Sequence, residues 1–294
     1  MKVLITGASG FTARHLVELL AAEPEPSELY LTSRRAFSLG NATPSDLGDA
    51  AAVWNLIANV KPDQIYHLAG SFTNNYEVDH RANVLTSQHI LDSVQNLNIS
   101  CRILLIGSAA EYGLIEEADN PVPENHSLKP VGVYGLTKMF QTHLMDYFWR
   151  LHRVDVVMAR PFNLIGRGQS NRLFVGSLYD QIERYQRGEI KRITVGNLGS
   201  RRDYISVQEA VRAYRLVMNR GLSGQIYNIG SGRSISIEVL LKSILEEHGL
   251  DMNIVERKAL SERDAKKIDV PEIYADIRKL NALQAQICAG PHKR

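Results

Sequence analysis

The 294-residue sequence predicts an α/β protein with a doubly wound parallel sheet and a smaller, interleaved C-terminal lobe. Short apolar segments alternate with amphipathic segments of helical periodicity. The apolar segments lack the strict alternation of a half-exposed strand, which is typical of parallel strands whose two faces are both covered by helices. A chain of this length can bury a sizeable core within one large domain.

Five apolar segments are predicted as strands of the main sheet. In order they are Val3–Ile5, Leu29–Leu31, Gln64–Leu68, Ile103–Ile106 and Val154–Met158. Helical periodicity predicts a first helix around Leu16 and Leu20, and further helices near residues 50–59, 83–97 and 134–151. Because helices separate the strands, the segments form successive βαβ units with parallel strands.

The second half of the chain differs from the first in composition and in the length of its patterned segments. After residue 163 glycines and scattered basic residues become frequent, and the patterned segments are shorter. Two strands, Ile193–Val195 and Ile226–Ile229, and a helix near residues 236–248 are predicted there. We expect these segments to form a smaller lobe that interleaves with the main sheet and does not follow a clean linker.

Composition and charge disfavour several classes of protein. Apolar residues make up 44% and charged residues 22% of the chain, and the formal net charge is only +2. This balance gives no reason to expect a nucleic-acid or membrane partner. Cys101 and Cys288 form no CxxC pair, and the histidines show no metal-ligand spacing. We therefore expect no metal, a reducing compartment and a cytoplasmic protein.

A glycine-rich loop, Thr6-Gly7-Ala8-Ser9-Gly10-Phe11-Thr12-Ala13, joins the first predicted strand to the first helix. Glycine at position 7 permits a tight turn, and glycine at position 10 lets backbone amides approach a pyrophosphate at the helix N-terminus. The alternative is a plain turn, but a strand before the loop and a helix after it favour dinucleotide binding. The predicted cofactor contacts in this loop are Gly7, Ser9, Gly10, Phe11 and Thr12.

The predicted fold is therefore Rossmann-type. Residues 1–163 are assigned mainly to a dinucleotide-binding domain, and residues 164–294 mainly to a substrate-binding lobe interleaved with it.

The end of the second predicted strand indicates which dinucleotide is bound. Enzymes that use NAD usually place Asp or Glu there to hold the ribose 2′-hydroxyl. This chain has Ser33, Arg34 and Arg35 instead. Guanidinium groups bind a 2′-phosphate through paired, charge-assisted hydrogen bonds, although both arginines could also be solvated loop residues. The lack of an acid favours NADP(H) as the cofactor.

Tyr134 and Lys138 form a YxxxK pair on a predicted helix. A spacing of four residues places both side chains on one face, so we expect the Lys138 ammonium to lower the pKa of the Tyr134 phenol towards working pH. Such a tyrosine can give a proton to the oxygen of a carbonyl group whose carbon receives hydride. The pair alone is usually a solvated helix face. Ser108 strengthens the interpretation, because it comes directly after a predicted strand. Ligands of open parallel sheets bind at the carboxyl ends of the strands.

Further motifs occur in the order of one known family. They are Asp46-Leu47, His67-Leu68-Ala69-Gly70, Asn83-Val84, the Gly107–Gly113 turn and Arg160-Pro161-Phe162-Asn163. With the glycine loop and the YxxxK pair, the chain resembles the extended short-chain dehydrogenase/reductase family over residues 1–280. That family contains nucleotide-sugar epimerases, dehydratases and reductases. Within it, segments in residues 101–113, 160–169, 195–198 and 202–204 are similar to reductases of GDP-4-keto-6-deoxy-D-mannose.

The resemblance implies roles for individual residues. Ser108, Tyr134 and Lys138 would be the catalytic triad, and Tyr134 and Lys138 would also contact the cofactor. The other implied cofactor contacts are Asp46 and Leu47 at adenine, Leu68, Ala69 and Gly70 along the cleft, and Asn83 behind the active site. The implied substrate contacts are Ser108 and, at the nucleotide diphosphate, Asn163, Arg202 and Lys266. The chain departs from the family pattern at Ala13 and in lacking a Gly-Trp-x-Pro segment after Leu280.

The resemblance and the cofactor residues together predict a reductase. It would move hydride from NADPH to the 4-keto group of a nucleotide-linked 4-keto-6-deoxyhexose, converting GDP-4-keto-6-deoxy-D-mannose to GDP-D-rhamnose, and would form a homodimer. One alternative is a 4-epimerase of nucleotide sugars that holds NAD tightly, and a second is a non-catalytic NADP-sensing protein. A 4,6-dehydratase is disfavoured because Ala109 and Ala110 stand where dehydratases carry their acids.

Overall fold

The computed structural model describes residues 1–25, 27–34, 42–258 and 270–288. The strands are β1 (Lys2–Thr6), β2 (Glu28–Ser33), β3 (Ala42–Pro44), β4 (Gln64–His67), β5 (Arg102–Ile106), β6 (Val156–Pro161), β7 (Asn163–Ile165), β8 (Ile193–Val195), β9 (Arg201–Arg202), β10 (Tyr204–Ser206), β11 (Ile226–Ile229), β12 (Ile235–Ser236), β13 (Val255–Arg257) and β14 (Glu272–Ile273). The helices are α1 (Phe11–Ala21), α2 (Ala50–Val60), α3 (Tyr76–His80), α4 (Thr86–Asn96), α5 (Val133–His152), α6 (Phe174–Gln186), α7 (Val207–Arg220), α8 (Ile237–Glu247) and α9 (Arg278–Cys288).

The main sheet has seven parallel strands in the order β11-β6-β5-β4-β1-β2-β3. The strand order reverses between β1 and β4, because β2 and β3 lie on one side of β1 and the following strands lie on the other. In open parallel sheets a ligand binds beyond the carboxyl ends of the strands at such a reversal. The predicted doubly wound, Rossmann-type fold class is confirmed.

Apolar helix faces cover both sides of the main sheet. On one side α1 and α7 pack together, with Leu16 and Val217 fully buried. On the other side α2, α4 and α5 bury Ile57, Ile90 and Met145. Full burial of one such side chain stabilises the fold by about 1.5–3 kcal/mol. These two layers hold the strand ends in place, and with them the loops that follow.

A smaller apolar cluster lies in the second half of the chain. It packs α6 against α8 and β8, through side chains such as Leu178, Leu241 and Ile193. The strand β11 and the helix α7 also come from this half, yet they complete the main sheet and its cover. The division of the chain at residue 163 stays a prediction.

Three long helices of the second half, α6, α7 and α9, were not predicted from the sequence, and the other differences lie in short elements. Each of the five predicted main-sheet strands is present, but β3 was not predicted, because three residues ending in Pro44 carry no periodic signal. The helix predicted near residues 83–97 is preceded by α3 and by a π-helical segment, Arg81–Leu85. Asn75 caps α3 by accepting from the Val78 amide at 3.1 Å, which explains the earlier start.

Among the described residues, no helix combines the length and apolar character needed to cross a bilayer.

Candidate active site

A cavity of about 1170 Å³ opens at the carboxyl edge of the main sheet. Its walls come from the residues that follow β1, β4, β5 and β6, from the start of α5, and from β9 and α6. Predicted site residues on these walls are Phe11, Thr12, Leu68, Gly70, Ser108, Tyr134, Lys138, Asn163 and Arg202. The topology thus brings together side chains that are distant in the sequence.

The glycine loop packs directly against the segment after β4. Gly7 has a φ of 65°, and a Cβ there would lie 2.6 Å from the Ala69 nitrogen, so glycine is needed for both conformation and space. Gly10 is the N-cap of α1, the helix has no acid in its first turn, and Ala13 is buried against the core. The amide nitrogens at the N-terminus of α1 are therefore suited to binding a phosphate. Ser9 is exposed in the same loop.

The end of β2 lies beside an acid that was not predicted there. Ser33 is buried and Arg34 is exposed, whereas Arg35 lies outside the described residues. The pKa of the Asp46 carboxyl is lowered, chiefly by a hydrogen bond from the Gly48 amide and also by Arg81 and the nearby Arg34. Because β3 pairs with β2, Asp46 comes within electrostatic reach of Arg34 although no acid stands at the end of β2 itself. Asp46 is itself held by Arg81 at 2.9 Å.

Leu47 does not lie on the cavity wall. Its side chain is buried in the apolar layer under α2 and α4. Its carbonyl oxygen is 3.0 Å from His89 Nδ1. The role of Leu47 at adenine stays a prediction that rests on the resemblance.

Ser108, Tyr134 and Lys138 meet on one wall of the cavity. Ser108 follows β5 and its Oγ accepts from the Ala110 amide at 3.2 Å. Tyr134 and Lys138 lie in the first turns of α5, and the Tyr134 ring meets Phe72 edge-on at 6.3 Å between centroids. The side chains of Ser108 and Tyr134 are hydrogen-bonded. The three side chains thus lie together, and their catalytic roles stay a prediction.

The electrostatics of the pair differ from the expectation. Burial raises the pKa of Tyr134 to about 12, with the Ser108 hydrogen bond opposing the rise and Glu111 and Asp79 adding to it. Lys138 Nζ donates to the Ile106 carbonyl at 2.7 Å and to Gln141 Oε1 at 3.1 Å, which leaves one of its three N–H groups for another acceptor. The predicted lowering of the Tyr134 pKa is therefore wrong. Tyr134 keeps its proton at neutral pH.

The amine of Lys138 is also shifted. Its pKa is lowered to about 8 because burial disfavours the ammonium, while the negative charge of Glu111 opposes that change. The charge of Lys138 therefore changes within the range where enzymes are assayed.

Asn83 is buried behind the cavity wall. Its Oδ1 accepts from the Ser71 amide at 2.8 Å, and its Nδ2 donates to the Ser71 carbonyl and to Thr137 Oγ1, each at 2.9 Å. It thereby ties the segment after β4 to α5. The structure thus gives Asn83 a supporting position and no place on the wall itself.

The end of the cavity that is lined by β7 and β9 carries positive charge. Asn163 Nδ2 donates to the Asp203 carbonyl at 3.0 Å, and Arg202 lies on the wall beside it, whereas Lys266 is outside the described residues. Arg172 lines the same cavity and was not predicted from the sequence. Within the described part of the chain, the charged wall residues are Lys138, Arg172 and Arg202, and none is Asp or Glu. This wall suits an anionic ligand.

Two buried acids near the site were also not predicted. Asp79 accepts from the Thr73 and Asn74 amides at 2.9 and 2.8 Å and shapes the segment before α3. Glu111 forms an ion pair with Arg160 at 2.9 Å. The sequence gives a signal only for Glu111, which is a carboxylate among small residues, whereas Asp79 lies in a polar segment.

Comparison with known proteins identifies relatives. The family described as NAD dependent epimerase/dehydratase matches residues 3–230. A GDP-6-deoxy-D-mannose reductase of Pseudomonas aeruginosa is 30% identical over 268 residues, which is 89% of this chain and 85% of the relative. A GDP-6-deoxy-D-talose 4-dehydrogenase of Aggregatibacter actinomycetemcomitans is 28% identical and covers 95% of this chain and 90% of its own.

Solved structures share the fold. The structure of RMD from Pseudomonas aeruginosa complexed with NADPH has a TM-score of 0.83 at 24% identity, covering 97% of this chain and 92% of its own. A UDP-glucose 4-epimerase from Thermotoga maritima, solved with UDP-glucose, has a TM-score of 0.84 at 23% identity, covering 97% and 93%.

Proposed function

The chain belongs to the NAD dependent epimerase/dehydratase family, and from this premise we propose that it reduces the 4-keto group of a nucleotide-linked 4-keto-6-deoxyhexose with NADPH. The preferred substrate is GDP-4-keto-6-deoxy-D-mannose and the product GDP-D-rhamnose. The name and the 30% identity of the Pseudomonas aeruginosa relative support this choice of base and sugar.

One observation carries the proposal. The described cavity wall holds a protonated phenol and three cationic side chains but no carboxylate. Reduction of a ketone needs one hydride and one proton, whereas dehydration also needs an acid and a base that act on carbon-bound protons and a leaving hydroxyl. Glu111 is close in sequence to Ser108, but it is buried and does not line the cavity. The wall therefore supports reduction.

The residues divide the work of that reaction. NADPH, when bound, supplies the hydride that reaches the carbonyl carbon. Tyr134 donates its proton to the carbonyl oxygen, and the Ser108 hydroxyl, already bonded to Tyr134, holds that oxygen in place. The ammonium of Lys138 adds positive charge where negative charge develops. Arg202 and Arg172 bind the nucleotide diphosphate.

The residues present fit NADP(H). Gly7 has no side chain that would cover the backbone of the loop. The start of α1 carries no acid that would repel a pyrophosphate. Arg34 is exposed at the end of β2, free to reach a 2′-phosphate, while Arg81 engages the neighbouring Asp46. We propose Arg34, with Arg35, as the groups that select NADP(H) over NAD(H).

A direct experiment tests the function. Purified protein should oxidise NADPH in proportion to added 4-keto-6-deoxyhexose nucleotide, with the GDP sugar preferred over dTDP and UDP sugars. Tightly bound NAD, with interconversion of two sugar nucleotides and no net NADPH oxidation, would instead establish the epimerase.

We further propose that the protein is a homodimer that pairs through α5. Tyr147 and Leu151 are exposed on this helix, at 46% and 62%, next to buried Phe148. Adjacent exposed apolar side chains are typical of an interaction surface. Sedimentation of the wild type should give twice the monomer mass, and Leu151→Glu should give the monomer.

A further inference from the structure

Glu111 is a buried acid that the reaction described above does not use. It ends the short 3-10 turn Ala109–Glu111 that follows Ser108, and its side chain is 0% exposed. A buried carboxylate is costly unless charge and hydrogen bonds compensate it. The groups that form hydrogen bonds and an ion pair with Glu111 therefore indicate its role.

Glu111 connects three elements of the active site. Its Oε1 accepts from the Ser108 amide at 2.7 Å, and its Oε2 accepts from Thr142 Oγ1 at 2.6 Å and pairs with Arg160 Nη2 at 2.9 Å. Thr142 lies on α5, the helix of Tyr134 and Lys138, and Arg160 lies on β6. The carboxylate thereby links the backbone of the proposed catalytic serine to the helix of the proposed acid.

The backbone around the turn leaves room for this link. A Cβ at Gly107 would lie 2.6 Å from Glu111 Oε1, so glycine there provides the space for the carboxylate. Gly135, next to Tyr134, lets α5 pack against the Ala110 carbonyl. The turn and the helix are therefore fixed to one another from two sides.

We propose that Glu111 is a positioning residue that sets the placement of Ser108 relative to Tyr134 and supplies the buried negative charge beside the catalytic pair. This inference rests on the proposed function, because it assigns Glu111 to the same reaction. Arg160 acts as its counter-ion and Thr142 as its tie to α5.

Electrostatics support the second part of the proposal. Tyr134 faces the Ser108 hydroxyl, the acids Glu111 and Asp79, and the phenol of Tyr214.

Lys138 faces the Ile106 carbonyl, Gln141, Glu111 and His67, whose own pKa is lowered to about 3 by burial and by Lys138. A negative charge at Glu111 raises the pKa of both the phenol and the amine. Its removal must lower both.

Two variants of Thr142 test the link to α5. Thr142→Val keeps the shape and removes the hydroxyl that holds Glu111, whereas Thr142→Ser keeps the hydroxyl. We expect kcat to fall about 10-fold in Thr142→Val, since small misplacements of reacting groups slow catalysis by up to about 100-fold. Thr142→Ser should stay near wild type, and the NADPH Kd should change less than twofold in both. Equal kcat in Thr142→Val and wild type would overturn the positioning role.

The charge is tested by Glu111→Gln, with Glu23→Gln as the matched control. Glu23 pairs with Arg215 at 2.7 Å, away from the cavity wall. In Glu111→Gln the alkaline limb of the kcat profile should move to lower pH, and in Glu23→Gln it should not move. Thr142→Val retains the carboxylate, so its kcat should fall without movement of the limb. An unmoved limb in Glu111→Gln would overturn the charge role.

A further measurement separates this inference from the proposed function. If the wild type reduces none of the sugar nucleotides, the proposed function fails. The ionisation of Tyr134 is then followed by NMR of isotope-labelled tyrosine, with the resonance assigned by Tyr134→Phe. A lower pKa of Tyr134 in Glu111→Gln supports the charge role without any turnover, and an unchanged pKa overturns it. If Glu111→Gln does not fold, the Thr142 pair decides the positioning role.

Discussion

Two ion pairs of the same length have very different surroundings. Arg160 and Glu111 stand 2.9 Å apart, beside the turn that follows Ser108, and are 1% and 0% exposed. Arg81 and Asp46 also stand 2.9 Å apart, near Arg34 at the end of β2, but are 53% and 50% exposed. Water competes for the second pair and not for the first, so geometry alone does not rank them. The buried pair is suited to fixed placement, whereas the exposed pair can exchange partners.

The largest expected effect is on the stability of the buried pair. Arg160→Met leaves Glu111 as an uncompensated buried charge, so the free energy of unfolding should fall by about 3–5 kcal/mol. Urea unfolding measures this directly. A loss below about 1 kcal/mol would mean that the two pairs are equivalent after all.

Loss of the proton donor comes next. Tyr134→Phe keeps the ring and removes the hydroxyl, so kcat should fall by about 100-fold or more. The NADPH Kd, measured by fluorescence titration, should barely change. Near-normal turnover would exclude Tyr134 as the acid.

Arg34 should control the choice of cofactor. Arg34→Ala removes a charge-assisted contact to the 2′-phosphate and should weaken NADPH binding by about 1.5–3 kcal/mol. NADH binding should be unaffected, because NADH has no such phosphate. Equal losses for both cofactors, measured by calorimetry, would contradict the assigned role of Arg34.

The rate of reduction and the affinity for NADPH should also differ in their pH dependence. The pKa of Lys138 is lowered to about 8 and that of Tyr134 is raised to about 12, so the ammonium is lost first as pH rises. Reduction should therefore slow above pH 8, by up to about 10-fold per pH unit where the charged form is required. Binding of NADPH at Arg34 should stay nearly constant over the same range. A kcat that is flat to pH 10 would show that the charge of Lys138 is not needed.

The smallest expected effect is at the exposed pair. Arg81→Met should change the free energy of unfolding by about 0–1 kcal/mol, because solvent already screens Asp46. It is the matched comparison for Arg160→Met in the same urea experiment. A loss as large as that of Arg160→Met would show that the exposed pair is coupled to the core.

The sequence predicts the parts of this molecule that follow from local pattern. The buried strands, the glycine loop and the placement of Ser108 near Tyr134 each derive from a short motif in a βαβ context. The direction of the Tyr134 pKa shift was not predictable, because burial depends on packing between distant segments. Asp46 reaches Arg34 only because β3 pairs with β2, and Glu111 finds Arg160 only across two strands. Such pairings are set by tertiary structure.

The order in which the chain emerges from a ribosome has a consequence for this sheet. The side of the sheet that carries Val3 and Ile5 is covered by α7, whose residues are synthesised some 200 positions later. In nascent chains that end before Val207, α1 can cover part of that side, but the apolar area that α7 covers must stay open to solvent or to chaperones. Chains arrested at successive lengths should lose chaperone crosslinks only once α7 and β11 have emerged. Because late-synthesised segments complete the main sheet and its cover, the first half of the chain cannot bury its apolar surface fully until they have emerged.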